Sequence, residues 1–281
     1  MSVETAAESI PLEASSPYEL RVDLSKDVPD NVVKSSLKTG DMGFLHSYTT
    51  GSAVDGPGVR LVAWTSGCQF KCVYCHNPDT WNLMNGIPVP IEKAIEGVAK
   101  YRHALKVMNG GFTLSGGEPL MQDRFAARLF AAVKEMGVHT ALDTNGFLGE
   151  RLSDDELDSI DLVLLCIKHM DPEKHMKLVG KELGPTLDFA HRLAERNRPM
   201  WLRFVLVPGR TDSEEDVDRM ARFVAEMGNC KRVDILPFHQ MGRYKWERLG
   251  LSYELDNVEP PTAAVIERVC EQFRARGLEA Y

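Results

Sequence analysis

What this sequence lacks narrows it first. No run approaches the roughly 18 consecutive apolar residues of a membrane-spanning helix. No basic stretch leads into an apolar one near the beginning, as it would in a secretory signal. Positive charge is not in surplus: 33 Lys and Arg stand against 41 Asp and Glu, a net charge of −8. Nucleic acids and anionic membrane surfaces select basic faces, so neither is an expected partner. Cysteine is scarce, at six residues, and is not spread as a disulfide framework. Three cysteines are clustered, while Cys166, Cys230 and Cys270 stand apart, a pattern that fits a reducing compartment holding a metal site. The expected location is therefore cytoplasmic, and the protein is expected to be a monomer.

What is present reads as one α/β domain. Residues 1–40 are rich in Ser, Pro and acidic residues with poor apolar periodicity, and are expected to be a poorly ordered extension. Residues 41–281 form the domain. After a leading strand at 44–48, six main strands are expected at 59–65, 112–115, 138–142, 162–167, 201–207 and 232–236. Their short apolar runs mostly lack alternation, as suits parallel strands covered on both faces. Helices are expected at 91–105, 122–136, 153–160, 172–179, 186–196, 213–227 and 262–276, with 240–261 left as a long polar loop. Ser153 with Glu156 reads as a capping box. Cys230 and Cys270 have ordinary core spacing. Six strand–helix units are too few for a closed eight-fold barrel, so the expected fold is an open partial (β/α)6 barrel, TIM-like in its connections.

In parallel α/β folds, ligands bind at the C-terminal ends of the strands. Here those ends carry a concentrated set of chemistry. The first is followed by Cys68-Gln69-Phe70-Lys71-Cys72-Val73-Tyr74-Cys75-His76-Asn77, with three thiols spaced Cx3Cx2C. The others carry Gly116-Gly117-Glu118-Pro119, Asp143-Thr144-Asn145-Gly146, Cys166-Ile167-Lys168, Arg203 and His239. Soft thiolates suit iron–sulfur clusters, and three ligands from one loop leave a coordination position open. The residues alone also allow a zinc knuckle with His76 as fourth ligand, although ligation by adjacent Cys75 and His76 would strain the loop.

The cysteine loop, with an aromatic Tyr74 before its third thiol and a GGE loop after the next strand, resembles the signature of the radical S-adenosylmethionine enzymes. The match extends through Asp55-Gly56-Pro57-Gly58-Val59-Arg60, Tyr74-Cys75-His76-Asn77-Pro78-Asp79-Thr80-Trp81, Leu142-Asp143-Thr144-Asn145-Gly146, Trp201-Leu202-Arg203 and Leu236-Pro237-Phe238-His239. In that wider pattern the chain resembles the activases of glycyl radical enzymes, and those of the pyruvate formate-lyase type in particular. The absence of a second set of paired cysteines favours that type over activases with an inserted ferredoxin-like domain.

The resemblance implies one [4Fe–4S] cluster on Cys68, Cys72 and Cys75, with S-adenosyl-L-methionine on its open iron. It implies cofactor contacts from Tyr74, Cys75, His76, Gly117, Cys166, Ile167, Lys168, Arg203 and His239. It further implies an oxidoreductase that works anaerobically. One electron from reduced flavodoxin or ferredoxin cleaves S-adenosylmethionine, and the resulting 5′-deoxyadenosyl radical takes a hydrogen atom from the glycine loop of pyruvate formate-lyase. Another glycyl radical enzyme as partner, or a zinc-stabilised interaction protein, are the rival readings. Asp143 and Thr144 match part of a monovalent-cation site in the family. There the chain departs from the pattern: an acidic residue is usual where Cys166 stands, which puts the cation site in question. Asp55 is a further candidate near the site, set against the plainer reading of an exposed loop aspartate.

Overall fold

The computed structural model describes residues 20–281. Its strands are β1 (Met42–Ser52), β2 (Arg60–Thr65), β3 (Ile87–Pro90), β4 (Gly111–Gly116), β5 (His139–Thr144), β6 (Leu162–Leu165), β7 (Met200–Leu206) and β8 (Cys230–Pro237). Its helices are α1 (Asp30–Thr39), α2 (Ile91–Ala99), α3 (Arg102–Val107), α4 (Asp123–Glu135) and α5 (Asp154–Asp158), then α6 (Pro172–Val179), α7 (Gly184–Glu195), α8 (Glu214–Met227), α9 (Arg243–Arg248) and α10 (Ala263–Arg274). One sheet runs β3-β1-β2-β4-β5-β6-β7-β8. The six strands from β2 to β8, omitting β3, pair in parallel and in chain order, while β1 lies antiparallel to both β2 and β3. The ends of the sheet do not pair with each other, so the barrel is open, as the count of strand–helix units required.

The strands form where apolar and β-branched residues run together, and a period of two divides their side chains. Leu142, Val163, Leu165 and Leu202 face the helices and join the main core with Phe112, Leu114, Phe130 and Val133. Ala141, Leu162 and Leu164 pack with Trp201 in a separate inner cluster. Each fully buried side chain of this size contributes about 1.5–3 kcal/mol. Two residues along the same inner face come Asp143, Cys166 and Arg203. The pleat therefore carries polar chemistry to the strand ends directly above an apolar layer.

Helix boundaries follow local chemistry. Ser153 and Glu156 form the expected capping box, and Ser213 caps α8 by accepting from the Asp216 amide. The single helix expected at 91–105 is instead α2 and α3, because the chain tightens to an i→i+3 bond from the Tyr101 amide to Val98. The expected break at 88–90 is a short strand, β3, whose Pro88 and Pro90 suit an edge position.

Two expectations need correction. The poorly ordered extension was drawn through residue 40, and its first 19 residues lie outside the described residues. The remainder contains α1, which turns Val32, Val33, Ser36 and Leu37 away from solvent and packs on α4. Gly40 closes this helix at φ +73°, and a Cβ there would lie 2.6 Å from the Arg124 carbonyl carbon. The long loop at 240–261 contains α9, six residues long. At the far end of the chain, the amides of Val233 and Ile235 donate to Glu279 and Tyr281, so the last residues lie along the free edge of β8. Among the described residues, no helix is long and apolar enough to cross a membrane.

Candidate active site

The cysteine loop leaves β2 through Gly67, whose φ of +93° suits glycine alone. It is pinned along its length. The Gly67 amide donates to the Thr80 carbonyl at 2.7 Å and the Cys68 amide to Trp81 at 3.2 Å. The amides of Lys71 and Val73 donate to Val179 and Leu178 at 2.9 and 3.0 Å, at the end of α6. Phe70 is buried between these residues, with Phe147 and His175 edge-on at 5.6 and 5.7 Å. The first part of the loop is thus fixed by its backbone and by Phe70 rather than through its thiols.

All three thiols are free. Burial pushes Cys68 well above its ordinary value and Cys75 up to about 12, and neighbouring thiolates of the set add to both shifts. Burial raises Cys72 as well, against the pull of Lys168. Three sulfurs that oppose one another's ionisation need a cationic centre among them to become thiolates together. Among the described residues, no three His, Cys, Asp or Glu side chains converge on a point fit for one metal ion. A cluster of four irons makes a different demand, spreading three thiolates over three separate irons. The donor set therefore fits a [4Fe–4S] cluster.

The second strand end packs against the first. The Gly117 amide donates to Thr65 and the Glu118 amide to Gly67, each at 2.8 Å. A Cβ on Gly117 would lie 2.3 Å from the Gly67 carbonyl oxygen, so its glycine is required by the meeting of two loops. Glu118 is fully buried and accepts from Thr144 Oγ1 at 2.7 Å, the Asn145 amide at 2.8 Å and the Leu120 amide at 3.0 Å. Burial pushes its carboxyl up to about 7, against the pull of those three donors. Glu118 was passed over in the sequence, although it lies inside the GGEP motif.

The inner faces of β4, β5, β6 and β7 meet at Asp143. Its carboxylate accepts from Arg203 Nη1 at 2.9 Å and Ser115 Oγ at 2.7 Å, with the Cys166 thiol at 3.7 Å. Arg203 Nη1 also reaches Asp55 at 3.2 Å. Asp55 is buried at 4% exposure, so the exposed-loop reading of it is wrong. Arg203 Nε is buried without a partner, as is the hydroxyl of Tyr74. Lys168 places its ammonium 5.9 Å from the Tyr74 ring centroid. Burial lowers its pKa, but Cys166, Tyr74, Cys72 and Asp143 more than offset this and keep it charged. His76 and His239 stand edge-on with ring centroids 5.0 Å apart.

The structure therefore brings Tyr74, Cys166, Lys168, Arg203 and Asp143 together, and His76 to His239. It does not free every expected group. Ile167 is fully buried in the main core, which leaves its backbone for any contact. The Thr144 hydroxyl donates to Glu118 and its carbonyl accepts from the Cys166 amide at 2.9 Å. The cationic partner of Asp143 is Arg203.

The radical SAM superfamily matches residues 62–224. The pyruvate formate-lyase 1-activating enzyme of Escherichia coli K12 is 41% identical over 230 residues, covering 81% of this chain and 94% of that protein. This chain belongs to the pyruvate formate-lyase activating enzymes of the radical SAM superfamily. Another member of that family, from Staphylococcus epidermidis, is 42% identical over 239 residues, covering 83% of this chain and 94% of that protein. Among solved structures, Streptococcus suis SuiB bound to its precursor peptide SuiA superposes with a TM-score of 0.59 at 17% identity. It covers 89% of this chain and 52% of that one, a likeness of fold. For an activating enzyme of this family, the thiols and the charged groups of the strand ends share one rim.

Proposed function

We propose that this chain activates pyruvate formate-lyase by installing a glycyl radical on it. One observation carries this reading: three free, half-buried thiols lie on one pinned loop, beside a rim that supplies Lys168, Arg203 and the paired His76 and His239. The chain uses a [4Fe–4S] cluster and S-adenosylmethionine. Cys68, Cys72 and Cys75 hold the cluster. Held there, the cluster would supply the single electron for reductive cleavage of S-adenosylmethionine, and with it the radical chemistry that takes a hydrogen atom from the partner's glycine.

The chain's own residues bind and orient. Lys168 stays charged and receives the cofactor's carboxylate, helped by the free Nε of Arg203. Gly117 keeps the approach to its loop narrow, where the amino group is received. Tyr74, His76 and His239 flank the nucleoside. Asp143 with Asp55 holds Arg203 in place, and this ion pair takes over the charge balance that a monovalent cation would otherwise supply at Asp143 and Thr144. Hydrogen-atom abstraction requires no general base, and the site reserves none for it. The electron donor is flavodoxin or ferredoxin, and the chain acts as a cytoplasmic monomer with neither nucleic acid nor membrane as partner.

Electron paramagnetic resonance of the anaerobically reconstituted, reduced protein mixed with pyruvate formate-lyase tests the reading. A glycyl doublet dependent on S-adenosylmethionine is the expected result. A doublet appearing only with a different glycyl radical enzyme would move the assignment to that partner. One bound zinc per chain and no cofactor cleavage would sink it.

A further inference from the structure

Beneath the cysteine loop lies a polar group with no part in the chemistry above. Asp79, four residues beyond Cys75, is fully buried. Its carboxylate accepts from Lys245 Nζ at 3.0 and 2.9 Å and from His46 Nε2 at 3.0 Å. Lys245, itself 7% exposed, also donates to Asn77 Oδ1 at 2.8 Å. The next residue on α9, Trp246, donates from its indole nitrogen to the Cys75 carbonyl at 2.9 Å and meets Trp81 edge-on at 5.0 Å. Gly242, just before α9, lies so close that a Cβ would stand 2.5 Å from the His76 carbonyl oxygen. On the opposite side, Asn85 donates to the Asp79 carbonyl at 2.7 Å and accepts from the Asp23 amide at 3.0 Å.

A six-residue helix has too few internal bonds to persist alone. Contacts hold α9 in place, and these contacts fall on every residue from Cys75 to Asp79 except Pro78. A buried ion pair is a poor source of net stability, because desolvation offsets most of the attraction. Its distinguishing property is geometric: Lys245 Nζ, on both Asp79 oxygens and on Asn77, fixes one arrangement of two segments that are 166 residues apart. The segment so fixed carries the third thiol and His76.

We infer that Lys245 and Trp246 are positioning residues for the reaction, which act by fixing the backbone of Cys75, His76 and Asn77 against α9 and thereby set the affinity for S-adenosylmethionine. The inference rests on the thiol loop being the cluster site. Trp246→Phe keeps an aromatic ring against Trp81 but removes the indole N–H together with part of the ring's bulk. In reconstituted protein, iron and sulfide content should match the parent, with the unfolding midpoint lowered only modestly by the lost packing. The Kd for S-adenosylmethionine should rise about fivefold, the equivalent of about 1 kcal/mol for one hydrogen bond. The spectrum of the reduced cluster with S-adenosylmethionine should shift. Unchanged affinity and spectrum in a fully loaded variant overturn the inference.

Lys245→Met alone strands a buried carboxylate and can unfold the protein, so the paired variant Asp79→Asn with Lys245→Met is the second test. It should fold and load its cluster, yet bind S-adenosylmethionine at least fivefold more weakly. A folded pair variant with parental affinity overturns the role given to Lys245. Parent protein that takes up no cluster overturns the functional reading itself; parent binding that is normal and matched by both variants overturns the positioning role alone.

Discussion

Two arginines on the inner wall of the barrel lead different lives. Arg60 lies on the floor, with no exposure. Its donors are spent on neutral acceptors: Nε on Thr113 Oγ1 at 2.9 Å, Nη2 on the Phe112 carbonyl at 2.6 Å, and the remainder on Pro57 and His139. Burial draws its pKa down to about 10. Arg203 lies one layer higher, between Asp143 and Asp55. Those carboxylates, and Cys166 between them in effect, outweigh burial and raise its pKa, while its Nε has no partner. The floor arginine has its hydrogen bonds complete, and the nearby Asp161 and Asp55 only partly offset the effect of burial. The rim arginine is over-supplied with charge and under-supplied with hydrogen bonds, the condition of a group that expects a ligand.

That contrast predicts a separation of effects. The largest is Cys72→Ala: cofactor cleavage falls below detection and iron loading fails, while the unfolding free energy of the cluster-free protein stays within about 1 kcal/mol of the parent, since Cys72 is only half-buried at the edge of a small cluster. Urea unfolding and iron analysis check both. Arg60→Met should do the reverse, with about 3 kcal/mol or more lost in urea unfolding because several buried acceptors lose their donor, and near-parental cofactor affinity in the folded fraction. A weak effect on unfolding would erase the distinction between floor and rim.

Arg203→Lys should sharpen it. The charge between Asp55 and Asp143 remains but the guanidinium fork does not. Equilibrium binding of S-adenosylmethionine should weaken about tenfold, with about 1 kcal/mol lost from stability. Smallest is Cys166→Asp, which places a second carboxylate beside Asp143. Binding of S-adenosylmethionine should then tighten severalfold on adding potassium, where the parent responds little. Equal potassium dependence in the two proteins would remove Arg203 from its role as the local cation.

The floor and the rim also differed in how far they could be read without coordinates. The six parallel strands declare themselves, because strands buried on both faces are written as apolar runs. The thiol loop and Lys168 declare themselves by residue type at strand ends. Asp55 does so only as one of two readings and Arg60 not at all, because a loop aspartate and a strand arginine look like surface until partners distant in sequence bury them. α9 was invisible for a related reason. It is short and largely polar, and Lys245 and Trp246 gain their meaning from Asp79 and Cys75. α1 hid in a stretch whose composition is that of a tail, its face made of two valines, a serine and a leucine. Such tertiary pairings leave no period in the sequence.

The short pairing of residues 279–281 along β8 bears on association. An unclosed sheet exposes two rows of amides and carbonyls that could recruit a strand from a second molecule. Here β3 is blunted by Pro88 and Pro90, and β8 is covered by residues 279–281, with Arg232 sandwiched between Trp201 and Tyr281 at 4.8 and 4.6 Å. Residues 279–281 thus work as a zipper that keeps a second strand off this edge.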